Sequence, residues 1–142
     1  MTDFQWAERI SPEQYPLFHA FYSKEWWTKG RSLADVTRML EHCDLTVFCH
    51  DGENRIAAFA RVLTDYTFKA MIFDVIVAEQ YRGQGLGQRT VERILNHERL
   101  SRVKSFELYC PDRLVPFYEK MGFVKGTSSL LFNQPLTASI AS

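Results

Sequence analysis

Cysteine pairs, long apolar runs and net charge are what this chain of 142 residues has least of. Its three cysteines are an odd number and form no CxxC, which fits a reducing compartment better than a disulfide framework. His42, Cys43, Cys49 and His50 would lie at opposite ends of a strand over 44–49 that rises about 3.3 Å per residue, so they cannot share one metal ion. No metal site is expected. No apolar run approaches the roughly 18 residues of a spanning helix, and the N-terminal "MTDFQWAERISPEQ" has neither a basic nor an apolar leader region. The expectation is a cytoplasmic chain with no membrane partner. Lysine plus arginine number 17 against 17 aspartates plus glutamates, so no global field draws the chain to nucleic acid, and any anion must be held locally. Seven glycines and five prolines form no linker, and no repeat divides the sequence. A single domain over residues 1–142, large enough to bury a core, is expected.

What is present reads as alternating strands and helices. "QWAERI" alternates as a short strand does. Ser11 and Pro12 then open a helix that is expected to run to about Trp27. Ser32 and Asp35, with Leu33, Val36, Met39 and Leu40 at helical spacing, predict a second capped helix that ends near Cys43. "LTVFCH" and "RIAAFARVLT" flank "DGEN" and predict a hairpin. "FKAMIFDVIVA" is a long strand, nearly continuously apolar except at Asp74, as a strand covered on both faces is. A helix from Leu86 and the strand "VKSFELYC" follow. "LVPFYEKMGF" is a short helix ended by Gly122, and "SSLLFN" is a closing strand. The class is mixed α/β.

Between the long strand and the helix lies "QYRGQGLGQR". A phosphate loop of the P-loop type needs Lys-Ser or Lys-Thr after its last glycine, where this chain has Gln88 and Arg89. A dinucleotide fingerprint needs G-x-G-x-x-G, whereas Gly83, Gly85 and Gly87 give G-x-G-x-G. Two readings survive. One is a tight turn that needs glycine only for its φ angles. The other is an anion cradle: the amides of Arg82, Gly83, Gln84, Gly85, Leu86 and Gly87 converge on a helix N-terminus, with Arg82 and Arg89 flanking them.

Gln80-x-x-Gly83-x-Gly85 after a buried strand resembles the acyl-CoA pyrophosphate motif of the GNAT superfamily of N-acyltransferases, and "FYEKMGF" at 117–123 resembles its second signature. The resemblance extends over roughly residues 4–133. It implies a splayed, mostly antiparallel sheet of six to seven strands with helices on both faces, and acetyl-CoA as the cofactor. Residues Arg82 to Arg89 (Gln88 included) would hold the pyrophosphate, and the main chain of Val75, Ile76 and Val77 would lie along the pantetheine arm. The stretches around "WW", "KGRS" and "FDVIVAEQYRGQGLG" resemble the branch with plastid-type arylalkylamine acetyltransferases and unassigned bacterial relatives. An aromatic or small primary amine is the acceptor that this suggests. An amine on a peptide, and a module that binds acyl-CoA without turnover, are the alternatives. Edge strands of such sheets leave a homodimer open.

Acyl transfer to an amine needs removal of a proton from the amine, a donor to the oxyanion and a proton for the departing thiolate. Tyr118 matches the family's catalytic tyrosine, and its phenol suits the last task; the other reading is a core tyrosine beside Phe117. Asp74 either orients the ammonium and accepts its proton, or is a structural carboxylate paired with a Lys or Arg. Tyr22, Glu25, Trp26 and Trp27 either form an aromatic, acidic acceptor pocket or pack the first helix onto the sheet. Pro111 stands where many members have an asparagine that touches the cofactor, with Asp112 as the neighbour. Cys110 has no histidine near it in sequence and is expected to be inert.

Overall fold

The computed structural model describes residues 3–133. Five strands form one sheet in the order β1-β2-β3-β4-β5: β1 (Gln5–Ala7), β2 (Leu45–His50), β3 (Ile56–Thr64), β4 (Lys69–Val77) and β5 (Ser105–Leu108). The first four pair antiparallel and β5 joins β4 in parallel, the two being connected by a helix-containing crossover. The helices are α1 (Tyr15–Tyr22), α2 (Leu33–Glu41), α3 (Leu86–Leu95) and α4 (Val115–Glu119). No helix among the described residues is long and apolar enough to cross a membrane.

Local chemistry explains the starts of these helices. The Gln14 side-chain oxygen accepts from the Ser11 backbone N–H at 2.9 Å, and Pro12–Gln14 form a 3-10 turn that leads into α1. Ser32 Oγ accepts from the Asp35 N–H at 3.1 Å and caps α2. After α4 the Phe123 N–H reaches the Tyr118 carbonyl at 3.2 Å, and Gly122 takes φ +93°, the left-handed close of a short helix.

Helices cover both faces. On one, Val91 and Ile94 of α3 and Tyr118 of α4 pack on Leu45, Val47, Ala60, Val62 and Ile72. On the other, Phe18 and Tyr22 of α1 and Val36 of α2 pack on Phe48, Phe59 and Ile76. Ile72 and Ile76 would share a face of a regular strand, yet they lie in different clusters. The cause is a bulge. Phe59 pairs with Ile76 but Arg61 pairs with Phe73, so β4 spends one extra residue there, and Asp74 sits in it at φ +56°. Aspartate tolerates this left-handed conformation better than most residues, and the extra residue inverts the inside-outside pattern of β4.

Three expectations need correction. α1 ends at Tyr22, five residues short of Trp27, and 23–30 is a run of turns closed by Gly30 at φ +93°. The sheet has five strands among the described residues rather than six or seven. Residues 128–133 form no strand: Leu130 and Leu131 are exposed and find no ladder among the described residues, and it is the ladder partner, more than β-propensity, that makes a strand.

Phe18 is fully buried and meets the Phe59 ring edge-on at 4.6 Å, joining α1 to the sheet. Phe18→Ala is expected to cost about 3–5 kcal/mol of unfolding free energy, measured by urea denaturation.

Candidate functional site

Where β4 passes Ile72 it loses β5. The parallel pairing runs from Lys69↔Ser105 to Ile72↔Leu108 and stops there, while β4 continues to Val77. A cavity of about 550 Å³ opens between the parted strands. Its walls are β4 from Ile72 to Val77, the glycine loop, the end of β5 with Cys110 and Pro111, Phe117 and Tyr118 of α4, and Glu25, Trp26 and Trp27 from the turns after α1.

The glycine loop supplies donors. Gly83 and Gly85 have φ +83° and +78°, and a Cβ at either would meet open space, so backbone conformation rather than crowding demands glycine there. Gly87 differs: a Cβ would lie 3.4 Å from Phe117 Cζ and 3.5 Å from a Val77 methyl, so glycine lets α3 sit close to β4 and α4. Among the described residues, none of the N–H groups from Gly83 to Gly87 donates to a protein acceptor. Free amides at the start of α3, beside the cavity, are an arrangement suited to an anion. Arg82, Gly83, Gly85, Leu86, Gly87 and Gln88 line the cavity. Arg89 instead turns to the Trp6 ring, with its guanidinium carbon 5.3 Å from the ring centre.

Tyr118 is buried and held edge-on between Phe117 at 4.9 Å and Phe123 at 5.8 Å, and it lines the cavity. Its hydroxyl makes no hydrogen bond among the described residues. Burial, aided by the neighbouring Cys110 thiol, pushes its pKa up to about 12, so the phenol stays protonated at neutral pH. Burial also raises the Cys110 thiol, and Asp112 adds to that, which keeps the thiol uncharged near neutrality.

Asp74 also borders the cavity, but its Oδ2 is committed. Arg61 Nε donates to it at 2.6 Å and the Tyr22 hydroxyl at 2.7 Å, with Arg31 4.0 Å away. This is the ion-paired arrangement that stood as the alternative to a proton acceptor. Burial disfavours the charge on Arg61, yet Asp74 beside it holds the guanidinium above its ordinary pKa. Burial and then the Asp74 charge push the Tyr22 phenol well above its ordinary range. Tyr22 is itself fully buried, does not line the cavity, and also accepts from Arg31 at 2.5 Å.

Glu25 and the tryptophans do meet the cavity. Trp26 is half exposed and meets Trp27 edge-on at 5.7 Å, while Trp27 also packs against the α1 and α2 core. Pocket wall and packing are thus both true of Trp27. Asp112 is exposed, pairs with Lys125 at 3.3 Å and does not line the cavity, so it does not take the place left by Pro111.

Two supports escaped the sequence reading. Arg61, the partner of Asp74, was visible only through the β3–β4 register. Asp51 accepts from the Tyr81 hydroxyl at 2.6 Å and from Arg55 Nε at 2.8 Å, tying the root of the glycine loop to the β2–β3 turn. Burial alone would raise that carboxyl, but the hydrogen bonds from Tyr81 and Arg55 overturn this and hold it well below the usual carboxylate range.

The profile of the acetyltransferase (GNAT) domain family matches residues 41–125. An uncharacterized N-acetyltransferase, ycf52, of Porphyra purpurea is 29% identical over 102 residues, 70% of this chain and 58% of that protein. The chloroplastic serotonin N-acetyltransferase 2 of Oryza sativa subsp. japonica is 37% identical over 92 residues, 62% of this chain and 46% of that protein. The chain spans about half the length of the curated relatives it matches. Among solved structures, glucosamine-6-phosphate N-acetyltransferase from Arabidopsis thaliana superposes with a TM-score of 0.76 at 19% identity, covering 95% of this chain and 99% of that one. An acetyltransferase of Trypanosoma brucei gives 0.77 at 21%, covering 93% and 100%. At such identities the likeness is one of fold.

Arg61→Leu removes the partner of a carboxylate that is only 7% exposed. It is expected to destabilise the fold by about 3 kcal/mol in chemical denaturation, because the buried charge left behind keeps only the Tyr22 hydroxyl and the more distant Arg31.

Proposed function

The chain belongs to the acetyltransferase (GNAT) domain family, and we propose that it transfers the acetyl group of acetyl-CoA to a small primary amine, directly and within a ternary complex. What supports this is one juxtaposition: a run of free glycine-loop amides and the hydroxyl-bearing ring of Tyr118 border the same cavity, at the point where β4 and β5 part. The donor set fits the cofactor. The amides from Gly83 to Gly87 suit a pyrophosphate, and the stretch of β4 beyond its pairing with β5, including Val75, Ile76 and Val77, suits an arm with amide groups. Acetyl-CoA, when bound, supplies an acyl thioester that an unprotonated amine can attack.

The chain's own groups divide the remaining work. Main-chain N–H groups of β4 that face the parted side stabilise negative charge on a carbonyl oxygen. Tyr118 would give the proton of its hydroxyl to the departing thiolate, and the proton shed by the acylated nitrogen to solvent would return the phenol to its acid form. A phenol whose pKa stands at about 12 holds that proton throughout the working range. Asp74 is assigned to positioning: with Oδ2 taken by Arg61 and Tyr22, it holds the bulge that turns β4. Trp26 and Trp27 present flat apolar surface to an acceptor, which favours an amine with an aromatic or apolar group. The named activity of the rice relative, a serotonin N-acetyltransferase, is consistent with that class.

A thiol-release assay with acetyl-CoA against aryl-alkylamines, polyamines, amino acids and peptide N-termini tests the proposal. Turnover is expected on the aryl-alkylamines first, and tight CoA binding without turnover on any amine would make the chain a binding module instead. Tyr118→Phe is expected to lower kcat ten-fold or more while CoA affinity, by calorimetry, stays within about two-fold. Because the acid form of Tyr118 is lost only as pH rises through about 12, kcat should show no alkaline limb from this group below about pH 11.

A further inference from the structure

Arg82 spans the two halves of the cavity. Its Nε donates to the Val77 carbonyl at 3.1 Å, and its terminal nitrogen donates to Glu25 Oε1 at 3.0 Å. Arg82 stands immediately before Gly83 in the anion cradle, whereas Glu25 stands beside the two tryptophans. The pair is asymmetric: the Arg82 side chain is 56% exposed and that of Glu25 only 17%. Glu25 is also rigidly presented. Its carbonyl accepts from the Thr28 N–H at 3.2 Å, the Lys29 N–H at 3.0 Å and the Thr28 hydroxyl at 3.2 Å, and Thr28 is itself fully buried.

We propose that Arg82 and Glu25 form a latch that donor binding opens, so that the Glu25 carboxylate is delivered to the acceptor ammonium only when acyl-CoA is in place. The inference rests on the acyltransferase reading above and adds an order of binding and an acceptor-recognising residue to it. A guanidinium beside free amides is drawn to phosphate oxygens, which it binds in a bidentate fork, and an ion pair with one partner mostly in water resists this weakly. When Arg82 swings to phosphate, two acceptors are uncovered at once. The Val77 carbonyl becomes free for an amide N–H of the donor's arm. Glu25, mostly buried, is left without its cation, and an ammonium entering alongside Trp26 and Trp27 restores the pairing. Asp74 cannot take this role on equal terms, since Arg61 and Tyr22 already occupy its Oδ2. By linkage the donor tightens acceptor binding and the acceptor tightens donor binding by the same factor.

CoA binding, followed by calorimetry and by the fluorescence of Trp26 and Trp27, tests the latch in wild type, Glu25→Gln, Arg82→Gln and the double variant, each checked for an unchanged melting temperature. Glu25→Gln should bind CoA about three-fold or more tightly than wild type, because Arg82 is already released, and this gain should vanish in the Arg82→Gln background. Unchanged or weaker CoA binding by Glu25→Gln, or a gain that persists without Arg82, overturns the latch. On the best amine of the thiol-release panel, Glu25→Gln should raise the amine KM about ten-fold while the acetyl-CoA KM falls. An unchanged amine KM overturns delivery of Glu25 to the acceptor. Should wild type bind no CoA at all, the acyltransferase reading fails, whereas CoA binding without these shifts removes the latch alone.

Discussion

At Asp74 a single extra residue turns β4, and the rest of the site depends on that turn. Before it, β4 is an ordinary inner strand paired on both edges; after it, the edge towards β5 is open and the apolar pattern has changed faces. A bulge leaves its extra residue unpaired and in a conformation that most side chains resist. Here the cost is met by the side chain itself. Asp74 draws one donor from β3, Arg61, and one from α1, Tyr22, so the bulge is fixed from two elements. A parted pair of strands thus becomes a rigid cleft, and a cleft in a sheet is one of the few places where a folded chain can offer free main-chain groups to a ligand.

The two ends of the cleft are built differently. At the end proposed for the donor the backbone is what is offered: glycine φ angles set the amides of the loop, Gly87 allows the close approach of α3, and Asp51 anchors Tyr81 at the root. At the end proposed for the acceptor side chains are offered, with Glu25, Trp26 and Trp27 carried on turns that a buried Thr28 braces. A backbone site can serve one invariant ligand, and a side-chain site can be changed one residue at a time. Arg82 is the group that touches both ends.

What could be read in the sequence was whatever is local. The glycine spacing, the strand-helix-strand order around it, the caps at Ser11 and Ser32 and the place of Tyr118 all follow from neighbours within a few residues. The partners of Asp74 lie 13 and 52 residues away, and only the fold brings them to it. The same holds for α1: its apolar spacing runs on past Tyr22, but the Thr28 hydroxyl reaches back to donate to the Tyr22 carbonyl, and the chain closes into turns instead. The run "SSLLFN" has strand composition and, among the described residues, no ladder, which composition alone cannot reveal. Arg82 was legible as a flanking cation, but its pairing with Glu25 across 57 positions was not.

Backbone amide shifts recorded by two-dimensional NMR during a CoA titration test the central claim most directly, since the site is defined by main-chain groups that parted strands and glycines leave free. Large, saturable shifts at Gly83, Gly85 and Gly87 and at Val75 to Val77, with β1 and β2 unmoved, are the result that the proposed function predicts. Saturable binding that leaves these amides unshifted, or that shifts a different face of the sheet, would contradict it.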